Sequence, residues 1–165
     1  MNALETIYYS SPVGTLELVA SPLGLQQLNF VDDVPEPTSD DKILKRTVAQ
    51  LDQYFAGELR EFDLPLDPIG TNFQQSVWTE LLKIPYGTAC SYLDIANALG
   101  DRNATRAVGA ANGQNHIAII IPCHRVIGSD GSLTGFASGL HRKPQLLELE
   151  GFLATQMSPV LKWIG

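Results

Sequence analysis

Only two cysteines, Cys90 and Cys123, occur in the 165 residues, too few for a disulfide-built secreted domain. Histidine is nearly as scarce, and residues 1–89 contain neither cysteine nor histidine. Zinc in that segment is therefore excluded on ligand chemistry. Long apolar runs are missing too. The longest, Ile117-Ala118-Ile119-Ile120-Ile121, falls far short of the roughly 20 residues that span a bilayer, so it is expected to be buried in protein. The N-terminus lacks the basic and apolar regions of a signal peptide. An intracellular, cytoplasmic protein with no membrane role is expected. Positive charge is also short: 11 Lys and Arg against 18 Asp and Glu give a net charge of −7. Taken alone that disfavours nucleic acid, because neutralising phosphates supplies most non-specific affinity.

The distribution of charge changes this reading. Residues 1–70 hold 4 basic and 12 acidic side chains, a balance of −8, whereas residues 71–165 hold 7 basic and 6 acidic, a balance of +1. Arg102, Arg106, Arg125, Arg142 and Lys143 fall in one stretch with Asp130 as its single acidic residue. An acidic half joined to a locally basic segment suits a protein that meets DNA with one face. Hydrophobic residues make up 44% of the chain, enough for a real core in one domain or two small ones.

Residues 4–30 alternate in the manner of strands, with turn signals at Ser11-Pro12 to Gly14 and Ser21-Pro22 to Gly24, and predict a three-stranded antiparallel meander. Ile43, Leu44, Val48, Leu51, Tyr54 and Phe55 fit one face of a helix that covers the sheet. Pro65, Pro68 and Gly70 then interrupt any periodicity, which puts a domain boundary between 1–70 and 71–165. Beyond it, Thr71 or Asn72 caps a helix with Phe73, Val77, Trp78, Leu81 and Leu82 inward, stopped by Pro85. Ser91 caps a short helix through Ile95 and Leu99, Gly100 ends it, and a second helix runs from about Asn103 to Asn112. Helix, tight turn, helix is the helix-turn-helix pattern. The second helix carries Ala104, Ala107, Gly109, Ala110 and Ala111 around a single large charged residue, Arg106. Such small residues suit either tight core packing or close approach to another backbone.

The apolar run leads into Pro122-Cys123-His124-Arg125-Val126. A cysteine is often only a small core hydrophobe, but a neighbouring imidazole and guanidinium can favour the nucleophilic thiolate. In an extended chain neighbouring side chains point to opposite faces, so Cys123 and His124 need a local turn or a bridging water to communicate. A zinc site is a poor fit, since Cys123-His124 has no second pair at ligand spacing.

Taken with its surroundings, the motif resembles the O6-alkylguanine-DNA alkyltransferases, the methylated-DNA-protein-cysteine methyltransferases, and in particular their single-function bacterial type. Pro122-Cys123-His124-Arg125-Val126 matches that family's active-site motif in full. The likeness extends through Ser11-Pro12-Val13-Gly14, Tyr54-Phe55-Ala56-Gly57, Thr71-Asn72-Phe73-Gln74, Val77-Trp78, Ile84-Pro85-Tyr86-Gly87, Ser91-Tyr92, Arg106-Ala107-Val108-Gly109-Ala110, Asn112, Asn115 and Leu133-Thr134-Gly135, nearly the whole chain. It implies an α+β fold in two subdomains: a ribonuclease H-like N-terminal sheet with a covering helix, and a mostly helical C-terminal domain with the helix-turn-helix. The activity implied is DNA repair by direct reversal. An alkyl group passes irreversibly and once per molecule from O6-alkylguanine, and from O4-alkylthymine, to Cys123, without cofactor or metal.

The resemblance also implies site roles. Cys123 is the nucleophile and alkyl acceptor, His124 the base through a water, Glu150 the partner of the imidazolium, Asn115 an organiser of the cysteine region and Tyr92 a donor to the leaving guanine. Arg106 is the finger that fills the gap left by the flipped nucleotide, while Ala104, Thr105, Ala107, Gly109, Ala110, Tyr92 and Arg125 contact double-stranded DNA. Val126, Phe136, Ala137 and Ser138 form the substrate pocket. A monomer with no obligate protein partner is expected.

Four places depart from the family pattern: Leu93-Asp94 for Gly-Glu, His116 for proline, Phe136 for tyrosine and Ser138 for glycine. Two rivals come from other classes. A lesion-binding module without chemistry would not need Cys123, and a cysteine hydrolase would not need Arg106 among small residues. Because Phe136 and Ser138 fall in the pocket segment, benzyl adducts should react more slowly than methyl adducts. Equal single-turnover rates for the two lesions would refute this.

Overall fold

The first strands form because apolar and polar residues alternate with period two between Pro- and Gly-containing turns. The computed structural model describes residues 4–32, 39–128 and 142–152. β1 (Glu5–Ser11), β2 (Gly14–Ser21) and β3 (Gly24–Val31) make one antiparallel sheet in the order β1-β2-β3. Its register pairs Ile7 with Leu18 and Leu18 with Leu28. Leu16, Leu18 and Ala20 are buried on the central strand, where α1 (Lys42–Phe55) covers the sheet. Asp41 caps α1 by accepting from the Leu44 amide at 3.0 Å. Leu44, Thr47, Leu51 and Tyr54 form its inward face; the Thr47 hydroxyl is satisfied by the Ile43 carbonyl at 2.7 Å, which makes a polar residue tolerable there. The stretch without periodicity also has a job. Leu66 bridges Leu25 in parallel, with the Leu25 amide bonded to the Pro65 carbonyl at 2.9 Å and the Asp67 amide to the Leu25 carbonyl at 2.8 Å. Prolines on either side hold this pairing to a single bridge.

The chain divides into two compact units, residues 1–69 and 70–165. In the second, α2 (Asn72–Leu81) starts at Thr71, whose side chain accepts from the Gln74 amide while Gln74 reaches back to the Thr71 amide. This reciprocal capping box satisfies two donors that no helical carbonyl can reach. Phe73 and Leu82, expected on the buried face, are 38% and 48% exposed; only Val77, Trp78 and Leu81 face the core. The Trp78 indole donates to the Ala111 carbonyl at 2.9 Å and ties α2 to the next layer.

Ser91 and Asp94 make a second capping box at α3 (Tyr92–Ala98). Asp94, one of the departures from the family pattern, thus does the capping work of a glutamate. Gly100, at φ 82°, takes the left-handed conformation that ends the helix at little cost. A 3-10 turn, Arg102–Ala104, then feeds α4 (Thr105–Gly113). The second helix of the pair therefore begins later than the expected Asn103, because Asp101 accepts from the Asn103 amide at 3.0 Å and tightens the first turn.

The five-residue apolar run is buried but, after a single bridge residue at Ile117, follows turns and a bend rather than a continuous strand. α5 (Arg142–Leu149) carries Pro144 in its first turn, where its missing N–H costs no helical bond. Leu147 on α5 packs with Ala89, Ile127 and Phe152. No helix among the described residues is long and apolar enough to cross a membrane. Replacing Ser91 with alanine removes the cap of α3 at a buried position; urea unfolding should show a loss of about 1–2 kcal/mol.

Candidate active site and nucleic-acid interface

Residues 117–125 are shaped by turns, and Asn115 is their scaffold. Its Oδ1 accepts from the Ile117 amide at 3.0 Å, and its Nδ2 donates to the Ile121 carbonyl at 2.8 Å. Within this loop Ile119 sits at φ 71°, and the Ile120 amide bonds to the Ala118 carbonyl at 2.8 Å. A β-branched residue at positive φ is strained by roughly 1–3 kcal/mol. Pro122, at φ −81° and ψ 64°, makes a milder turn in which the Cys123 amide reaches the Ile121 carbonyl at 2.7 Å. Cys123–Arg125 then form a 3-10 turn. The chain is therefore turned rather than extended at Cys123 and His124. Val126 follows in the two-residue parallel ladder of β4 (Cys90–Ser91) with β5 (Val126–Ile127), pairing Cys90 with Val126.

Cys123 is buried at 4% exposure and His124 at 0%. His124 Nε2 lies 2.8 Å from Glu150 Oε2. Arg125 donates to both Glu150 oxygens, from Nε at 2.8 Å and Nη2 at 3.0 Å, and from Nη1 to the Ile84 carbonyl at 2.7 Å. It also lies 5.7 Å from the centre of the Tyr86 ring. Arg125, among the residues expected to contact DNA, is buried, and its guanidinium is committed to a carboxylate and a carbonyl. Gly87, at φ 77°, lets the backbone pass Glu150, whose carbonyl oxygen would lie 3.0 Å from any added Cβ.

Burial favours the neutral forms here, and the partners decide where charge survives. Burial pushes the Cys123 thiol up, against an Asn115 hydrogen bond, the Lys143 cation and backbone amides that pull it down. Burial lowers His124 below the usual imidazole range, only partly opposed by Glu150. Glu150 is raised by burial, but His124 and Arg125 outweigh this and hold its carboxyl well below the usual range. The arrangement is thus a neutral imidazole donating to an ionised carboxylate that is neutralised by arginine. Cys90 is different: burial and Asp94 push its thiol up to about 12, the behaviour of a core cysteine.

Tyr92 opens α3 and is half-buried. Its hydroxyl lies 3.4 Å from Nζ of Lys143, which is fully buried on α5. Burial lowers this lysine to about 8, with the Cys123 sulfur acting in the opposite direction. Sequence reasoning gave Lys143 no role beyond local charge. The signal was present in the spacing of Lys143, Leu146, Leu147 and Glu150, which share one helical face.

On α4, Arg106, Ala107 and Ala110 are exposed, and Thr105 and Gly109 are partly so, as is Ala104 at its N-cap. Val108, Ala111 and Asn112 face inward. Most of the small residues therefore present an outer surface with Arg106. Phe136, Ala137 and Ser138 lie outside the described residues. No cluster able to hold a metal ion occurs among the described residues.

Glu150 and His124 both have depressed folded pKa values, so each contributes stability above its unfolded value that is lost as pH falls through its folded value. The urea midpoint of the second unit should decline as pH is lowered from 7 through the histidine and carboxylate ranges; a flat profile would contradict this. Glu150→Gln leaves Arg125 without its counter-charge and should cost about 3–5 kcal/mol in the same measurement.

Residues 5–68 match the family profile "6-O-methylguanine DNA methyltransferase, ribonuclease-like domain", and residues 72–152 match "6-O-methylguanine DNA methyltransferase, DNA binding domain". The chain is 48% identical over 149 residues to a methylated-DNA–protein-cysteine methyltransferase of Methanosarcina acetivorans, covering 87% of this chain and 96% of that one. It is 52% identical over 145 residues to that of Mycobacterium tuberculosis, covering 85% and 88%. The crystal structure of Mycobacterium tuberculosis OGT in complex with DNA superposes with a TM-score of 0.81 at 46% identity, covering 94% and 96%. Two family profiles that together cover most of the chain, and relatives of this closeness along most of its length, lead to one conclusion: this chain belongs to the 6-O-methylguanine DNA methyltransferase family.

Proposed function

We propose that Cys123 is the acceptor in a direct reversal of DNA damage, taking the alkyl group of O6-alkylguanine, and of O4-alkylthymine, from double-stranded DNA. The observation that carries this reading is the buried order Cys123, His124, Glu150, with the imidazole held at 2.8 Å from the carboxylate. His124 accepts the thiol proton through a water, and Glu150 stabilises the imidazolium that results. The thiolate attacks the alkyl carbon in line. The carbon–oxygen bond breaks with its electron pair on the guanine oxygen, and Tyr92, backed by the Lys143 ammonium, serves as donor to the departing base. The product is a thioether, so each molecule acts once and consumes no cofactor.

The nucleotide must leave the stack first, at a cost of roughly a few kcal/mol. The outer face of α4 suits this task. Ala104, Thr105, Ala107, Gly109 and Ala110 permit close approach to the minor groove, and Arg106 enters the gap. The carbonyls of Cys123 and Val126 read the guanine edge. In this reading residues 71–165 carry both DNA binding and transfer. Every group assigned comes from one chain, so a monomer suffices, and a working thiol fits the reducing cytoplasm.

Mixed with a duplex bearing one O6-methylguanine, the protein should gain one methyl on the peptide containing Cys123, without cofactor, and then be inactive. Transfer should vanish in Cys123→Ser; lesion binding without transfer by the unsubstituted chain would overturn the reading. Arg106→Ala should slow repair of the duplex far more than reaction with the free modified base.

A further inference from the structure

Asn112 is buried on the inner side of α4 at 1% exposure and has no role in the reaction as assigned above. Its Nδ2 donates to the Cys123 carbonyl at 3.4 Å. That bond fixes the sense of the amide, because turning it over would set Oδ1 against the carbonyl oxygen. Oδ1 so oriented is buried without a hydrogen-bond partner. Among the described residues one other buried side-chain atom shares this condition, His124 Nδ1. Both orphans flank the same peptide: Asn112 holds its carbonyl, and His124 begins at its nitrogen.

Their chemistry is complementary to a single small molecule. Burial keeps His124 neutral, and its Nε2 faces the Glu150 carboxylate, so Nε2 carries the proton and Nδ1 presents a lone pair. Asn112 Oδ1 is likewise an acceptor. Two buried acceptors left unmatched are unfavourable, because each has given up its water without a replacement. A water molecule supplies two donors, satisfies both and turns its own lone pairs toward a third partner. A thiol donor is such a partner, and Cys123, the residue that precedes His124 and whose carbonyl Asn112 holds, supplies one.

We propose that Asn112 is a positioning residue for the transfer: with His124 it holds the water that takes the Cys123 proton, and by engaging one hydrogen of that water it directs the other at His124 Nδ1. The sulfur–hydrogen bond breaks as its proton joins the water oxygen, while the hydrogen facing His124 passes to Nδ1. Thiolate and imidazolium form together, the water is restored, and the hydrogen on Asn112 does not move. The inference rests on the assignment of Cys123 and His124 above.

Methyl transfer by the unsubstituted chain is measured first; its absence would sink the functional assignment itself, whereas the following outcomes bear on Asn112 alone. Asn112→Leu keeps the side-chain size and removes both polar atoms. Its single-turnover rate constant at pH 7 should fall about tenfold or more, with affinity for an unmodified duplex unchanged. The deficit should narrow as pH rises and the thiol ionises without the relay. A deficit of constant size across pH, or none, overturns the proposal. Should the leucine variant fail to fold, a high-resolution crystal structure of the unsubstituted chain decides. One ordered water in hydrogen-bond reach of Asn112 Oδ1, His124 Nδ1 and Cys123 Sγ is expected; no water there, or Oδ1 engaged by a protein group, overturns it.

Discussion

Glu150 brings a carboxylate into the interior, where an ion without partners would cost several kcal/mol. It is tolerable because Arg125 grips both oxygens and His124 donates to one of them. The dependence runs both ways. Without Glu150 the buried guanidinium has no counter-charge and the imidazole has nothing to fix its tautomer. The same carboxylate therefore holds the 3-10 turn of Cys123–Arg125 against α5 and sets which nitrogen of His124 is free to act.

The backbone supports this charge arrangement at a cost of its own. A smooth strand through residues 117–125 would send Cys123 and His124 to opposite sides. Instead Asn115 clamps the loop, Ile119 accepts an unfavourable φ of 71°, and Pro122 turns the chain again. Five buried apolar side chains from Ile117 to Ile121 supply the packing that offsets the strain, since each contributes roughly 1.5–3 kcal/mol for a branched residue. The apolar run is thus a foundation for a bent backbone rather than a continuous strand.

Much of the fold was legible because it is written locally. Alternation between turn residues gave the meander, Thr71 with Gln74 marked the start of α2, and Ser91 with Gly100 bounded α3. The ends of helix faces were less legible: Phe73 and Leu82 share the period of the core residues, but the period does not say where the core stops. In the site, the adjacency of Cys123 and His124 was visible, while the place of Glu150 came only through family resemblance, since its contacts span 25 and 26 residues. For the same reason the burial of Arg125 was not legible: only the tertiary fold reveals the carboxylate that its guanidinium meets. Asn112 was noticed as part of a motif, but its orphaned oxygen is a property of packing.

The distance along the chain between the 3-10 turn and Glu150 also has a temporal meaning. During synthesis Cys123, His124 and Arg125 emerge well before the residue that organises them. Until α5 docks, the imidazole lacks the carboxylate that fixes its tautomer. The contact of His124 with Glu150 spans 26 residues, so the site is complete only when both ends of that stretch are in place.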